Sequence, residues 1–350
     1  MKVLLLGRSS NAGGGPVWGR TLARGLSARG HLVRIVFTRI GARSNFMHQQ
    51  AADEGFVVES LCYLYRDPSY PREVADFIES WQPDVMVIDN QERLPEVWNH
   101  SPRLQSRQTR VVFIAHCNTV PSAYLKEIQP YLSKVVCVSE RAANGLGQFD
   151  PIVIRNAVYP PPGNGEDVRA KLNTPPEAFV IGYVGRWDDN KRGRRERDGE
   201  PIFFDAVRGN EWHLLLAGKD APAPSAGEGA ELRDRCYVYP FEVANIADWY
   251  GALDVFVLTS REEGFPLCVS EAILCGCRVA CTRVSDLEAI FGESIGFFGY
   301  GDVEGLRSAI HSAPPPEKAQ RIIAEKLSVE TMLDAYEEVF GLGKAPSHTG

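Results

Sequence analysis

Short runs of β-branched and other apolar residues alternate with amphipathic stretches through the first 157 residues, the pattern of a parallel sheet covered by helices on both faces. The runs predict strands at Val3–Leu6, Leu32–Phe37, Val57–Leu61, Val85–Ile88, Val111–Ala115 and Val135–Val138. Between the first two, Pro16 stands at a helix start, Trp18, Leu22 and Leu26 form one stripe, and Gly30 marks the end, which makes one βαβ unit. The stretch PIVIRNAVYPPPGNG then reads as a linker by its Pro and Gly density. A second series follows, with strands at Val180–Val184, His213–Ala217, Val255–Leu258 and Val279–Cys281 and helices near Ala244–Leu253 and Leu267–Leu274. Helical patterns at Val303–Ala313 and Val329–Phe340 close the chain, and the tail Lys344–Gly350 reads as disordered.

Two sequential α/β halves predict two Rossmann-like domains, and 350 residues suit two cores better than one. Folds of this kind bind ligands outside the carboxyl ends of their strands. No apolar run approaches the ~20 residues that cross a bilayer, and the opening MKVLLLG reads as a buried strand, not a signal peptide, because Arg8 follows at once. A cytoplasmic protein is therefore expected. The eight cysteines lie largely within apolar runs and read as reduced thiols; Cys275, Cys277 and Cys281 cluster without a histidine pattern of the kind zinc sites carry. Through Ala157 there are 18 Lys and Arg against 14 Asp and Glu, and beyond it 20 against 31. A mildly basic first half suits an anionic partner or the surface of a membrane, and an incidental asymmetry would look the same.

The stretch SREEGFPLCVSEAILCGCRVA, residues 260–280, carries the most chemistry. A strand ends, a loop turns at Gly264 and Pro266, and a helix begins at Leu267 and stops at Gly276. Amides at such a helix start, with the positive end of the dipole, suit a diphosphate. Val269, Ala272, Ile273 and Gly276 are expected to face the sheet, which leaves Glu271 off that face and tilted toward the helix start.

With Glu263 and Glu271 separated by seven residues, the stretch resembles the signature of retaining glycosyltransferases of family four, which have the GT-B fold. The resemblance implies a doubly Rossmann-like architecture with an interdomain cleft. It implies a first domain over 1–157 on the acceptor side, a donor domain over 158–327, and a C-terminal helix, 328–342, that crosses back to the first domain. It further implies Glu263 against the donor sugar hydroxyls, Glu271 on the nucleotide ribose, and Gly264, Phe265, Pro266, Leu267 and Cys268 along sugar and phosphate. GYVGRWDDNKRG, residues 182–193, resembles the element in which Arg and Lys neutralise the donor diphosphate, here Arg186 and Lys191. The charged stretch RRERDGEP that follows departs from the family, where an apolar helix comes next, and an altered loop is expected there. GRSSNAGGGP lacks the G-x-G-x-x-G spacing of dinucleotide binders and resembles the family's first loop, with Gly14 and Gly15 near the donor phosphates. His116 closes the run RVVFIAH, where family members often carry a histidine close to the reacting sugar. Ser139–Glu140 and Arg155–Asn156 match family positions and read as architectural; Tyr239 and Glu242 border the strand end where, by the resemblance, the base would be held.

The expected activity is hexosyl transfer from a nucleotide diphosphate sugar, a UDP-sugar before others, to a carbohydrate, lipid-linked or small-molecule acceptor. No metal, no further cofactor and no nucleic acid are expected, and the first domain is the one that would touch a membrane. A nucleotide-sugar epimerase of the same fold and a catalytically silent sugar-nucleotide-binding protein are the alternatives; a dehydrogenase is disfavoured by the glycine spacing.

Overall fold

A computed structural model describes residues 1–7, 14–37, 55–60, 67–89, 93–117, 120–185, 202–218, 230–239 and 246–342. The chain divides into two compact units, Met1–Ala157 with Leu327–Gly350, and Val158–Lys326.

In the first unit seven strands form one sheet: β1 (Lys2–Gly7), β2 (Leu32–Phe37), β3 (Val57–Ser60), β4 (Val85–Ile88), β5 (Arg110–Ala115), β6 (Lys134–Cys137) and β7 (Ile152–Val153). Their order is β3-β2-β1-β4-β5-β6-β7, every pairing parallel. Four consecutive buried residues make up β4, as expected of a strand covered on both faces. Chain direction reverses its spread between β1 and β4, so a crevice opens at their carboxyl ends. Helix Gly14–Ala28 buries Trp18, Leu22 and Leu26 and ends at Gly30 with φ +84°. Against it lies helix Val329–Val339, tied on by Arg29 to Asp334 at 2.6 Å and to Glu337 at 2.7 Å, and by His31 to Glu337 at 2.9 Å. Half-exposed pairs of this kind contribute little singly; the buried Met332, Leu333 and Tyr336 hold the helix.

In the second unit six parallel strands take the order β10-β9-β8-β11-β12-β13, over β8 (Val180–Val184), β9 (His213–Ala217), β10 (Cys236–Tyr239), β11 (Val255–Leu258), β12 (Arg278–Thr282) and β13 (Gly296–Phe298). Here the reversal falls between β8 and β11. Gly218, just past β9, has φ +151°, and a Cβ on it would collide with the backbone carbonyl of Gly185, just past β8. Only glycine lets those two strand ends come together.

Several expectations change. The stretch read as linker begins with β7, which pairs with β6. Gly276 is exposed with φ +86° and terminates its helix, whereas Val269, Ala272 and Ile273 form the fully buried face. Gly14 and Gly15 belong to the first turn of a helix, not to a loop. β13 and helix Glu317–Lys326, which carries only Ala319 and Ile323 buried, are additions. Arg186, Lys191, the charged stretch 194–201, Glu242, Leu61, the first-loop residues 8–13 and the tail 344–350 lie outside the described residues. No helix among the described residues is long and apolar enough to cross a membrane. Among them also, no group of three or more acidic, histidine or cysteine side chains is arranged to hold a metal ion. Their seven cysteines are free thiols. Burial pushes Cys137 up to about 11 and Cys275 up to about 12, so neither is a ready thiolate.

Candidate active site

The chain leaves β11 at Leu258, passes Thr259 and Ser260, both buried, and turns through Glu263 to Pro266 before entering helix Leu267–Leu274. Pro266 is the N-cap and supplies no side-chain bond to the first turn. A proline there fixes the entry angle and leaves the cap without a hydroxyl or carboxylate. The amides of Leu267 and Cys268 begin a helix whose N-cap residue adds no side-chain bond, an arrangement suited to an anion. Gly264, Phe265, Pro266 and Leu267 are buried, while Glu263, Cys268 and Glu271 are half-buried.

Both glutamates are held. Ser260 Oγ donates to Glu263 Oε1 at 2.7 Å. Thr282 on β12 donates to the Ser260 carbonyl at 2.6 Å, and the Ser285 hydroxyl donates to the Gly264 carbonyl. The loop is thus stitched to the next strand through backbone acceptors, and Glu263 hangs from that stitched frame. Glu271 Oε2 accepts from the Tyr250 hydroxyl at 3.1 Å. Glu271 lies off the buried face, as its helix position predicts, but Ser260, Thr282, Ser285 and Tyr250 carry no signal by themselves. Thr282, Ser285 and Tyr250 act through partners 21 or 22 residues away, and Ser260 through one three residues away.

In the first unit the strand ends make a separate cluster. His116 follows β5 and Asp89 follows β4; His116 Nε2 stands 4.0 Å from Asp89 Oδ2, with side chains 18% and 22% exposed. Trp18 lies edge-on to the imidazole, ring centroids 4.6 Å apart, and Tyr336 packs behind Trp18 at 6.0 Å. Burial pushes the His116 pKa below its ordinary value, and the neighbouring Asp89 charge only partly offsets this, so the ring is neutral at pH 7. A Cβ on Gly15 would sit 3.5 Å from Asp89 Oδ2, which puts that carboxylate beside the positive end of helix Gly14–Ala28. Gly15, Trp18, Arg20, Phe37 and Asp89 line a small pocket open to solvent, at the β1–β4 crevice. Asp89 and Trp18 escaped the sequence reading as site residues.

Of the two halves of the architectural pair, Ser139 caps helix Glu140–Asn144 by accepting from the Ala142 amide, and Arg155 reaches Glu140 at 3.4 Å.

Two family models match this chain: one described as Glycosyltransferase Family 4, over residues 12–160, and one as Glycosyl transferases group 1, over residues 178–313. Among curated proteins, the lipopolysaccharide core biosynthesis mannosyltransferase LpsB of Rhizobium meliloti is 26% identical over 211 residues, 56% of this chain and 57% of that protein. The D-inositol 3-phosphate glycosyltransferase of Xylanimonas cellulosilytica is 29% identical over 133 residues, 35% of this chain and 30% of its own length. The matched stretch thus spans about half of the first relative and a third of the second. Among solved structures, Anabaena HepE in complex with UDP and glucose superposes with a TM-score of 0.76 at 18% identity, covering 97% of this chain and 99% of that one. Sucrose-phosphate synthase from Thermosynechococcus elongatus gives 0.73 at 17% identity, covering 98% and 100%. At such identities the structural likeness shows the fold, two Rossmann-like units of GT-B type.

Proposed function

The chain belongs to the family 4 glycosyltransferases, and from that premise we propose that it moves a hexosyl group from a nucleotide diphosphate sugar to an acceptor hydroxyl, with retention at the anomeric carbon. The observation that carries the reading is the start of helix Leu267–Leu274, where Pro266 adds no side-chain cap and two carboxylates are held in place by hydroxyls. The diphosphate would lie on the Leu267 and Cys268 amides, Glu271 would take the ribose, and Glu263 would hold the sugar hydroxyls. Arg186 and Lys191 would neutralise the leaving diphosphate, supplying from side chains the charge that a metal supplies elsewhere. Gly14 and Gly15 would let backbone come near the donor, with the second unit on the donor side and the first on the acceptor side.

In the transfer itself the bond from the anomeric carbon to the diphosphate oxygen breaks, and the acceptor oxygen bonds to that carbon on the same face. The acceptor proton passes to the departing phosphate oxygen. His116, neutral, would give or accept a hydrogen bond beside the reacting sugar without adding charge. A UDP-sugar is the favoured donor, and the acceptor is a carbohydrate, a lipid-linked glycan or a small metabolite. The basic excess of residues 1–157 suits a cytoplasmic protein that touches an anionic membrane surface.

A thermal-shift panel of UDP, GDP and ADP with several of their sugars tests the donor class. Ligand at 100 times its Kd stabilises by about 2.7 kcal/mol, a shift of a few degrees. Stabilisation by one nucleotide family is expected; no shift with any of them would overturn the reading.

A further inference from the structure

Tyr250 lies 21 residues before Glu271, on helix Ile246–Gly251, and is fully buried. Trp249 and Phe256 stand edge-on to its ring at 5.2 and 5.7 Å between centroids, and the Cys277 thiol donates to its backbone carbonyl at 3.1 Å. A ring enclosed in this way keeps little freedom in either of its torsions. Its hydroxyl arrives at one place, 3.1 Å from Glu271 Oε2 and 3.4 Å from the Cys268 carbonyl. One O–H serves one acceptor at a time. The carboxylate is nearer and charged, and such hydrogen bonds are roughly twice as strong as neutral ones.

We infer that Tyr250 is a positioning residue for nucleotide recognition, its hydroxyl holding one oxygen of Glu271 so that the carboxylate meets the ribose hydroxyls in a single orientation. This rests on the reading of Glu271 as the ribose ligand. Burial first, and the Glu271 charge second, push the phenol well above its ordinary range, so it keeps its proton and its donor role at neutral pH. A glutamate oriented before the ligand arrives loses less rotamer freedom on binding, which is where such a contact gains affinity. The benefit is confined to ligands that carry ribose hydroxyls.

That confinement separates positioning from mere support of the fold. The 350-residue chain and its Tyr250→Phe variant are titrated calorimetrically with UDP, GDP and ADP and with the 2′,3′-dideoxy form of each. The wild type is expected to bind one ribonucleotide about 10- to 100-fold more tightly than its dideoxy form, as a hydrogen bond to a charged group implies. In Tyr250→Phe this preference falls by about fivefold or more, while affinity for the dideoxy form stays within about twofold. Glu271→Ala abolishes the preference, and adding Tyr250→Phe to it changes nothing further, a cycle that reads out even if the single phenylalanine variant is less stable. A Tyr250→Phe protein with the full preference intact, or one that loses both ligands equally, overturns the inference and leaves the functional reading standing. A wild type that binds none of the six overturns both.

Discussion

The two units end their central strands at equivalent points of a parallel sheet and furnish them in opposite ways. At the β1–β4 crevice of the first unit charge is subdued: an imidazole kept neutral by burial, an indole edge against it, and a carboxylate set beside a helix start. Past β11 in the second unit, the helix start lacks a side-chain cap and the carboxylates are tethered by hydroxyls. Topology supplies the place in both cases; the residues at the strand ends set its charge and hydrogen-bonding character.

The largest test of that contrast is Glu263→Ala, which would remove a group placed on the donor sugar and is expected to lower turnover by roughly 10²- to 10³-fold, as loss of a preorganised stabiliser does. Arg186→Ala is expected to fall in the same range. Steady-state kinetics with the donor found by the nucleotide panel checks both, and unchanged turnover would remove either residue from the mechanism. Next comes Gly218→Ala. The methyl group would meet the Gly185 carbonyl at a φ that side chains avoid, so urea unfolding should show a loss of about 2–4 kcal/mol. Equal stability would mean that the β8 and β9 ends part without cost. Ser260→Ala frees Glu263 from its 2.7 Å bond and is expected to lower kcat about tenfold with little change in melting temperature.

The smallest effect belongs to the first unit. Because the folded His116 has a lowered pKa, the unfolded chain takes up the proton first as pH falls. Its contribution to stability is therefore complete above about pH 6.5 and declines below it. His213 is shifted the same way, by burial first. Each adds a slope of at most about 1.4 kcal/mol per pH unit. Chemical denaturation of His116→Asn between pH 5 and 7 should show a shallower slope than the wild type; an identical slope would mean that His116 titrates alike in both states.

Legibility followed the range of the interactions. Helix Leu267–Leu274 and strands such as β2 and β4 were readable because apolar periodicity within a few residues specifies them. β7 and β13 hold two and three residues, too short for a period, and exist through pairing with β6 and β12. At the site, Glu263, Glu271 and His116 could be nominated from motif and position. The long-range contacts behind them could not: Tyr250 meets Glu271 across 21 residues, and Thr282 meets Ser260 across 22, contacts that only the folded sheet creates. Gly276 was misplaced because a buried-face position and a helix terminator fall on the same 3.6-residue spacing, and the positive φ decides between them.

The most direct measurement is a crystal structure of the chain soaked with the nucleoside diphosphate that stabilises it best. The account predicts diphosphate density on the Leu267 and Cys268 amides, with the ribose hydroxyls within hydrogen-bonding distance of Glu271. Nucleotide bound elsewhere in the molecule, with that helix start vacant, would contradict it.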